Sequence, residues 1–232
     1  MDASLLPLAS VGESTWLELS PLLTTPGLIA GVDEVGRGAL FGPVVAAAAI
    51  LPRELLPQLV AAQINDSKKL SAARRKKLAQ QICHQAVDWQ IGYASVAEID
   101  RLNILQATLL AMKRAVLKLK VQPAICWIDG NQQVKDLLIP QETLVKGDAR
   151  SLSIAAASII AKVWRDDLVL RLAAKYPMYD LQNNKGYGSK KHLEALQNYG
   201  ACRLHRKSFR PCQIQSPGES SVRVACAVQR MC

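Results

Sequence analysis

The stretch Leu28 to Leu51 reads LIAGVDEVGRGALFGPVVAAAAIL, and its reading decides the fold. Leu28-Ile29-Ala30-Gly31-Val32 is a short apolar run ending in two carboxylates, Asp33 and Glu34. Pro43 to Leu51 is a second apolar run, continuous enough for a strand buried on both faces. Gly36-Arg37-Gly38 and Gly42-Pro43 lie between them, so the first two strands are neighbours joined by a glycine-rich connection.

Beyond this pair the pattern alternates. Ser71 caps a predicted helix over about 72–86, and Val87 to Val96 alternates as a strand. Residues 103–119 carry helical apolar spacing at Ile104, Leu105, Leu109, Met112, Val116 and Leu119. Ala124 to Ile128 reads as a buried strand ending at Asp129-Gly130, and Glu142 to Val145 as another. A long helix is expected over about 150–174 and a last one over 189–198. Strands that are first adjacent and then alternate with helices make an α/β domain with a mixed sheet and helices on its faces. Residues 1–26 read as a loosely attached extension, 27–210 as the domain and 211–232 as a tail.

Half of the 232 residues are hydrophobic, ample for a core, and no apolar run approaches the length of a membrane span. With no signal-peptide pattern, a cytoplasmic protein with no membrane association is expected, and a monomer by default. The net charge of +10 suggests a polyanionic partner. Residues 1–30 contain three acidic residues and no Lys or Arg, whereas Lys146 to Arg210 contains 13 basic and 5 acidic residues. Aromatics at 5% are too few for rows of base-stacking rings, so contact through phosphates fits better. The six cysteines form no C-x-x-C pair and are expected to be reduced thiols, Cys83 and Cys126 in the core.

Carboxylates recur at strand ends: Asp33 and Glu34 after the first, Asp129 after a later one, and Asp148 just before the long helix. In open α/β sheets ligands gather at the carboxyl ends of parallel strands. Carboxylates brought together there would repel and raise one another's pKa, a conflict that a divalent cation relieves. All-oxygen ligands favour Mg²⁺ or Mn²⁺ over zinc, and two such ions about 4 Å apart can hydrolyse a phosphodiester. Each piece also has a plainer reading. Asp33-Glu34 could be a turn, Asp129-Gly130 a hairpin and Asp148 a helix N-cap. Neighbours in a regular strand also point to opposite faces, so Asp33 and Glu34 share a metal only if the chain bends.

The segment Gly31-Val32-Asp33-Glu34-Val35-Gly36-Arg37-Gly38, with Gly42-Pro43-Val44-Val45-Ala46-Ala47 beyond it, resembles the opening of the type 2 ribonucleases H (ribonuclease HII). Similar motifs follow in order: Asn65-Asp66-Ser67-Lys68-Lys69-Leu70, Ile128-Asp129-Gly130, Lys146-Gly147-Asp148 and Ala156 to Val163 with Arg165-Asp166. Lys185-Gly186-Tyr187-Gly188 and His205-Arg206-Lys207-Ser208-Phe209 complete the set. The resemblance spans roughly residues 28–211. It implies a ribonuclease-H-like fold: a mixed five-stranded sheet flanked by helices, with a C-terminal helical portion. It further implies hydrolysis of the RNA strand of RNA–DNA hybrids and incision 5′ of ribonucleotides embedded in duplex DNA. The products would carry 3′-hydroxyl and 5′-phosphate ends. Asp33, Glu34, Asp129 and Asp148 would be the catalytic, metal-binding carboxylates, holding two Mg²⁺ or Mn²⁺ ions. Gly36, Arg37 and Gly38 would sense the 2′-hydroxyl through backbone groups, and Tyr187 would pack against the neighbouring sugar.

Lys68, Lys146, Lys162, Lys185 and Arg206 lie in the same motifs as candidate phosphate contacts, against a plainer reading as solvated charges. Asp166, four residues after Lys162, is placed to pair with it. A general-acid role for His205 is disfavoured, since water at a two-metal site can protonate the leaving oxygen, and Trp164 reads as core. Two rival functions are a structure-selective DNA endonuclease of the same fold and a nucleic-acid-binding protein without catalysis.

Overall fold

The structure is a computed structural model that describes residues 16–19, 27–62, 64 and 71–213. Five strands form one sheet in the order β3-β2-β1-β4-β5: β1 Ile29–Val35, β2 Val44–Ile50, β3 Asp88–Ala94, β4 Ile125–Asp129 and β5 Gln141–Leu144. β2 runs antiparallel to β1 and β3, while β4 and β5 run parallel to β1. The carboxyl ends of β1, β4 and β5 therefore lie at one edge, which is what the strand-end carboxylates require.

β2 is buried along its whole length and explains how helices cover both faces. Ala47 and Ala49 join a core with α1 (Leu56–Ala61), α2 (Ala72–Gln85) and α5 (Leu152–Ala173). Ala46 and Ala48 point the other way, toward α3 (Val96–Leu102) and α4 (Ile104–Leu117). Small side chains let both helical layers lie close to the sheet. At Gly31 a Cβ would stand 2.1 Å from the Ser153 carbonyl carbon, so α5 can cross β1 only over a glycine. A third cluster, built from Phe41, Val169, Tyr179 and Leu196 among others, holds the C-terminal helices α6 (Leu181–Asn184) and α7 (Lys190–Tyr199).

Three boundaries differ from expectation. The stretch 103–119 is preceded by a separate short helix, because Asn103 adopts φ 70° and ends α3 while its side chain caps α4. Ser95 and Glu98 form a reciprocal capping box at the start of α3, a sequence signal that the expected boundaries overlooked. Within the extension expected to be loose, Trp16 to Leu19 is docked. Trp16 is buried in the α5-side core, and Glu18 accepts hydrogen bonds from the Ser151 hydroxyl at 2.6 Å and the Ser153 N–H at 2.9 Å. Glu18 thus satisfies first-turn donors of α5 with a carboxylate at the positive end of its dipole. At the other end Cys212 is buried, while residues from 214 onward lie outside the described set. Cys126 is in the core as expected and Cys83 is half-buried. Among the described residues no helix is long and apolar enough to cross a membrane.

Candidate active site

Asp33 and Glu34 are the fifth and sixth residues of β1, so they are strand residues rather than a turn. Asp129 is the last residue of β4, and because β5 runs parallel to β4 no hairpin follows it. A carboxyl oxygen from each of Asp33, Glu34 and Asp129 lies within 4.8 Å of the others. The alternation of the strand does not keep the pair apart. Both residues keep regular register with β2, the pairing running on through Val35, so it is their side chains that converge at the strand end.

Asp148 sits in a 3₁₀ turn over Gly147–Ala149 and lines the same cavity, of about 520 Å³, outside that three-carboxylate group. It is not the cap of α5, a role Ser151 takes by accepting from the Ile154 N–H. The turn still serves the cluster, since the Gly147 N–H donates to Asp129 Oδ1 at 2.7 Å. Asp33, 6% exposed, is held by the Glu34 N–H at 2.6 Å and by Ser158 on α5.

Burial, then the charges of Glu34 and Asp129, push the Asp33 carboxyl well above the usual carboxylate range. Burial also raises Glu34, against the pull of Arg37, whose guanidinium lies 3.3 Å away. Three crowded carboxylates, two of them shifted toward protonation, are a site short of positive charge. A hard divalent cation fits that donor set, and the cavity offers no His or Cys to favour zinc.

The remaining candidates divide. Lys146, Lys162 and Tyr187 line the cavity. Lys162 pairs with Asp166 at 2.9 Å, as the spacing suggested, and its Nζ stands 5.6 Å from the Tyr187 ring centroid. Lys185 does not line the cavity, and its ammonium donates to the Gln182 carbonyl. Lys68 lies outside the described residues.

Arg206 requires a correction. Expected at phosphates, it is fully buried, and its guanidinium donates to the carbonyls of Gly36, Arg37 and Gly42 at 2.7, 2.8 and 3.0 Å. Arg165, equally buried, donates to those of Phe41, Pro43 and Lys185. Two planar forks thus hold six backbone oxygens: Arg206 ties down the glycine-rich loop, and Arg165 joins that loop to Lys185 at the start of the 185–188 segment. The cost is visible in Arg206, which burial and the neighbouring Arg165 push down to about 9. Gly36 cannot be replaced in this arrangement, since a Cβ there would lie 2.2 Å from Arg165 Nε.

Trp164 is half-buried and stacks on Tyr93 at 6.3 Å rather than lying wholly in the core. His205 is fully buried away from the carboxylates, which removes it as a general acid. Ser158 and Arg75, both lining the cavity, had not been singled out. Ser158 falls within the Ala156 to Val163 motif and Arg75 within α2, but nothing local marks either as facing the site.

Comparison with known proteins agrees with this geometry. A family model described as Ribonuclease HII matches residues 30–212. A ribonuclease HII of Nostoc sp. (strain PCC 7120) is 70% identical over 206 residues, covering 88% of this chain and 92% of its own length. One from Trichodesmium erythraeum is 64% identical over 186 residues, covering 80% and 88%. Among solved structures, ribonuclease H2 from Pyrococcus horikoshii is similar with a TM-score of 0.70 and 26% identity, over 80% of this chain and 95% of that one. A ribonuclease HIII in complex with Mn²⁺ shares the fold, with a TM-score of 0.67 and 21% identity over 80% of this chain and 68% of its own.

Proposed function

The chain belongs to the ribonuclease HII family, and on that premise we propose that it incises duplex DNA 5′ of an embedded ribonucleotide as well as cutting RNA–DNA hybrids. It is a ribonuclease H and depends on a divalent metal. The finer reading is that Asp33, Glu34, Asp129 and Asp148 hold two Mg²⁺ or Mn²⁺ ions. The observation that carries it is the convergence of three carboxylates within 4.8 Å at one sheet edge. The bound metal supplies charge neutralisation and Lewis acidity at the scissile phosphate.

The chain's own residues do the rest. Asp33 and Asp129 are oriented before substrate arrives, by Ser158 and the Glu34 N–H and by the Gly147 N–H respectively. Lys146 and Lys162 line the cavity with positive charge for the flanking phosphates. Arg206 occupies the carbonyls of Gly36 and Arg37 from behind. That leaves the loop rigid and close to the carboxylates, as a reader of a single 2′-hydroxyl needs to be. Tyr187, bridged to Ala39 of the same loop, would pack against the adjoining sugar and set which phosphate meets the metals.

The test uses a DNA duplex with one ribonucleotide, a full hybrid and an all-DNA duplex. Cleavage of the first on the 5′ side of the ribonucleotide, leaving a 3′-hydroxyl, is expected together with no cutting of the third. Equal cutting of the all-DNA duplex would make it a DNA endonuclease, and salt-sensitive binding without Mg²⁺-dependent cleavage a binding protein only.

A further inference from the structure

Behind Tyr187 lies a pair of buried imidazoles that the chemistry above does not use. His192, in the first turn of α7, and His205 are both fully buried, with their Nε2 atoms 3.0 Å apart. His192 Nδ1 lies 2.9 Å from the Tyr187 carbonyl oxygen. The Cys202 N–H donates to His205 Nδ1 at 3.0 Å.

These contacts admit one arrangement of protons. A carbonyl only accepts, so His192 Nδ1 carries a hydrogen. The Cys202 amide only donates, so His205 Nδ1 carries none and the hydrogen of that ring is on Nε2. The close Nε2 pair needs one hydrogen between two nitrogens, which His205 supplies and His192 accepts. Both rings are neutral, and the donors run one way: Cys202 N–H to His205, His205 to His192, His192 to the Tyr187 carbonyl. Burial, reinforced by the neighbouring ring, pushes His205 down to about 3, and burial lowers His192 as well.

The relay ties together the parts that meet at the reading loop. His205 forms a β-bridge with Phe41, and Tyr187 forms one with Ala39, two residues earlier on the same loop. The Tyr187 ring has the Lys162 and Arg165 cations at 5.6 and 5.4 Å from its centroid. We propose that His192 and His205 are positioning residues for substrate selection, holding Tyr187 at the register that recognises the ribonucleotide–DNA junction. This rests on the junction-reading role proposed above for Tyr187. A displacement of order 1 Å at a positioning group is enough to cost tenfold or more in rate.

The experiment measures kcat/KM on the single-ribonucleotide duplex and on a long hybrid, and takes the ratio. Tyr187→Ala is expected to lower the ratio. His192→Phe, which keeps the ring volume but loses both hydrogen bonds, is expected to lower it about tenfold. His192→Asn, whose amide can still donate to the Tyr187 carbonyl, is expected to recover most of that loss. In the Tyr187→Ala background His192→Phe should change the ratio no further, whereas a general loss of packing would act in both backgrounds. Should His192→Phe not fold, His205→Leu, which removes the donor that orients His192, carries the same expectation. A ratio unchanged by His192→Phe, or lowered equally in both backgrounds, overturns the inference while leaving the Tyr187 reading intact. A ratio unchanged by Tyr187→Ala overturns that reading and the inference with it.

Discussion

Asp33→Asn should make the metal-free protein more stable while abolishing hydrolysis. The variant keeps an oxygen to accept the Glu34 N–H and removes one charge from a cluster whose members lie within 4.8 Å. At that separation two unit charges repel by about 3.5 kcal/mol at an effective dielectric near 20. Proton uptake relieves part of this, so the expected gain is about 2–4 kcal/mol at pH 8. The pH dependence fixes the sign. Asp33 in the folded protein has a pKa raised above its ordinary 3.8, so its contribution is fully present below that value. It is lost as pH climbs through the folded value, at about 1.4 kcal/mol per unit. Asn does not titrate, so the advantage of the variant is small at pH 4 and grows toward pH 8. Thermal unfolding in EDTA reads it directly. At about 2–4 °C per kcal/mol for a chain of this size, Tm should rise by roughly 5–15 °C at pH 8. Millimolar Mg²⁺ should then raise the wild-type Tm and leave the variant nearly unmoved. An unchanged or lower Tm for the variant in EDTA at pH 8, or an equal response to Mg²⁺, would refute the idea that these carboxylates are held in mutual repulsion for a metal.

Asp129→Asn should remove nearly all turnover while leaving hybrid binding within a few fold, because it deletes a metal ligand and no phosphate contact; wild-type turnover in saturating Mg²⁺ would contradict it. Arg206→Met strands three backbone carbonyls, two of them in buried bonds, and should lower stability by about 3–5 kcal/mol in denaturant unfolding, and the surviving folded enzyme should discriminate less between RNA and DNA. Unaltered stability and selectivity would mean that Arg206 does not hold the loop. Glu18→Ala removes the external cap of α5 and should cost about 1–2 kcal/mol, seen as a lower midpoint with unchanged slope in urea. No change would mean that the 16–19 segment does not hold the helix.

The central strands and the long helix were legible because their signals are local. The Leu28–Leu51 stretch carries its own apolar runs and Ser71 marks the start of α2, whereas the cap of α5 is Ser151 rather than the Asp148 the sequence offered. The carboxylate site was legible for a related reason, since a parallel sheet sends the ends of β1, β4 and β5 to one edge whatever lies between. What escaped the sequence was polar and long-range. Arg165 and Arg206 look like surface charges until the fold brings them to carbonyls more than 120 residues away. Glu18 caps a helix that begins more than 130 residues later. The break at Asn103 turns on the positive φ of one residue that ends α3 and caps α4. Periodicity reports which face is dry and says nothing of which distant backbone oxygen a buried cation will meet.

The most direct test of the account is the anomalous scattering of Mn²⁺ in crystals of the Asp148→Asn protein bound to a DNA duplex carrying one ribonucleotide. The account predicts Mn²⁺ between the carboxylates of Asp33, Glu34 and Asp129, touching the phosphate 5′ of the ribonucleotide, with the Gly36–Gly38 backbone at its 2′-hydroxyl. Mn²⁺ bound away from these three residues, or a duplex seated without regard to the ribonucleotide, would contradict it.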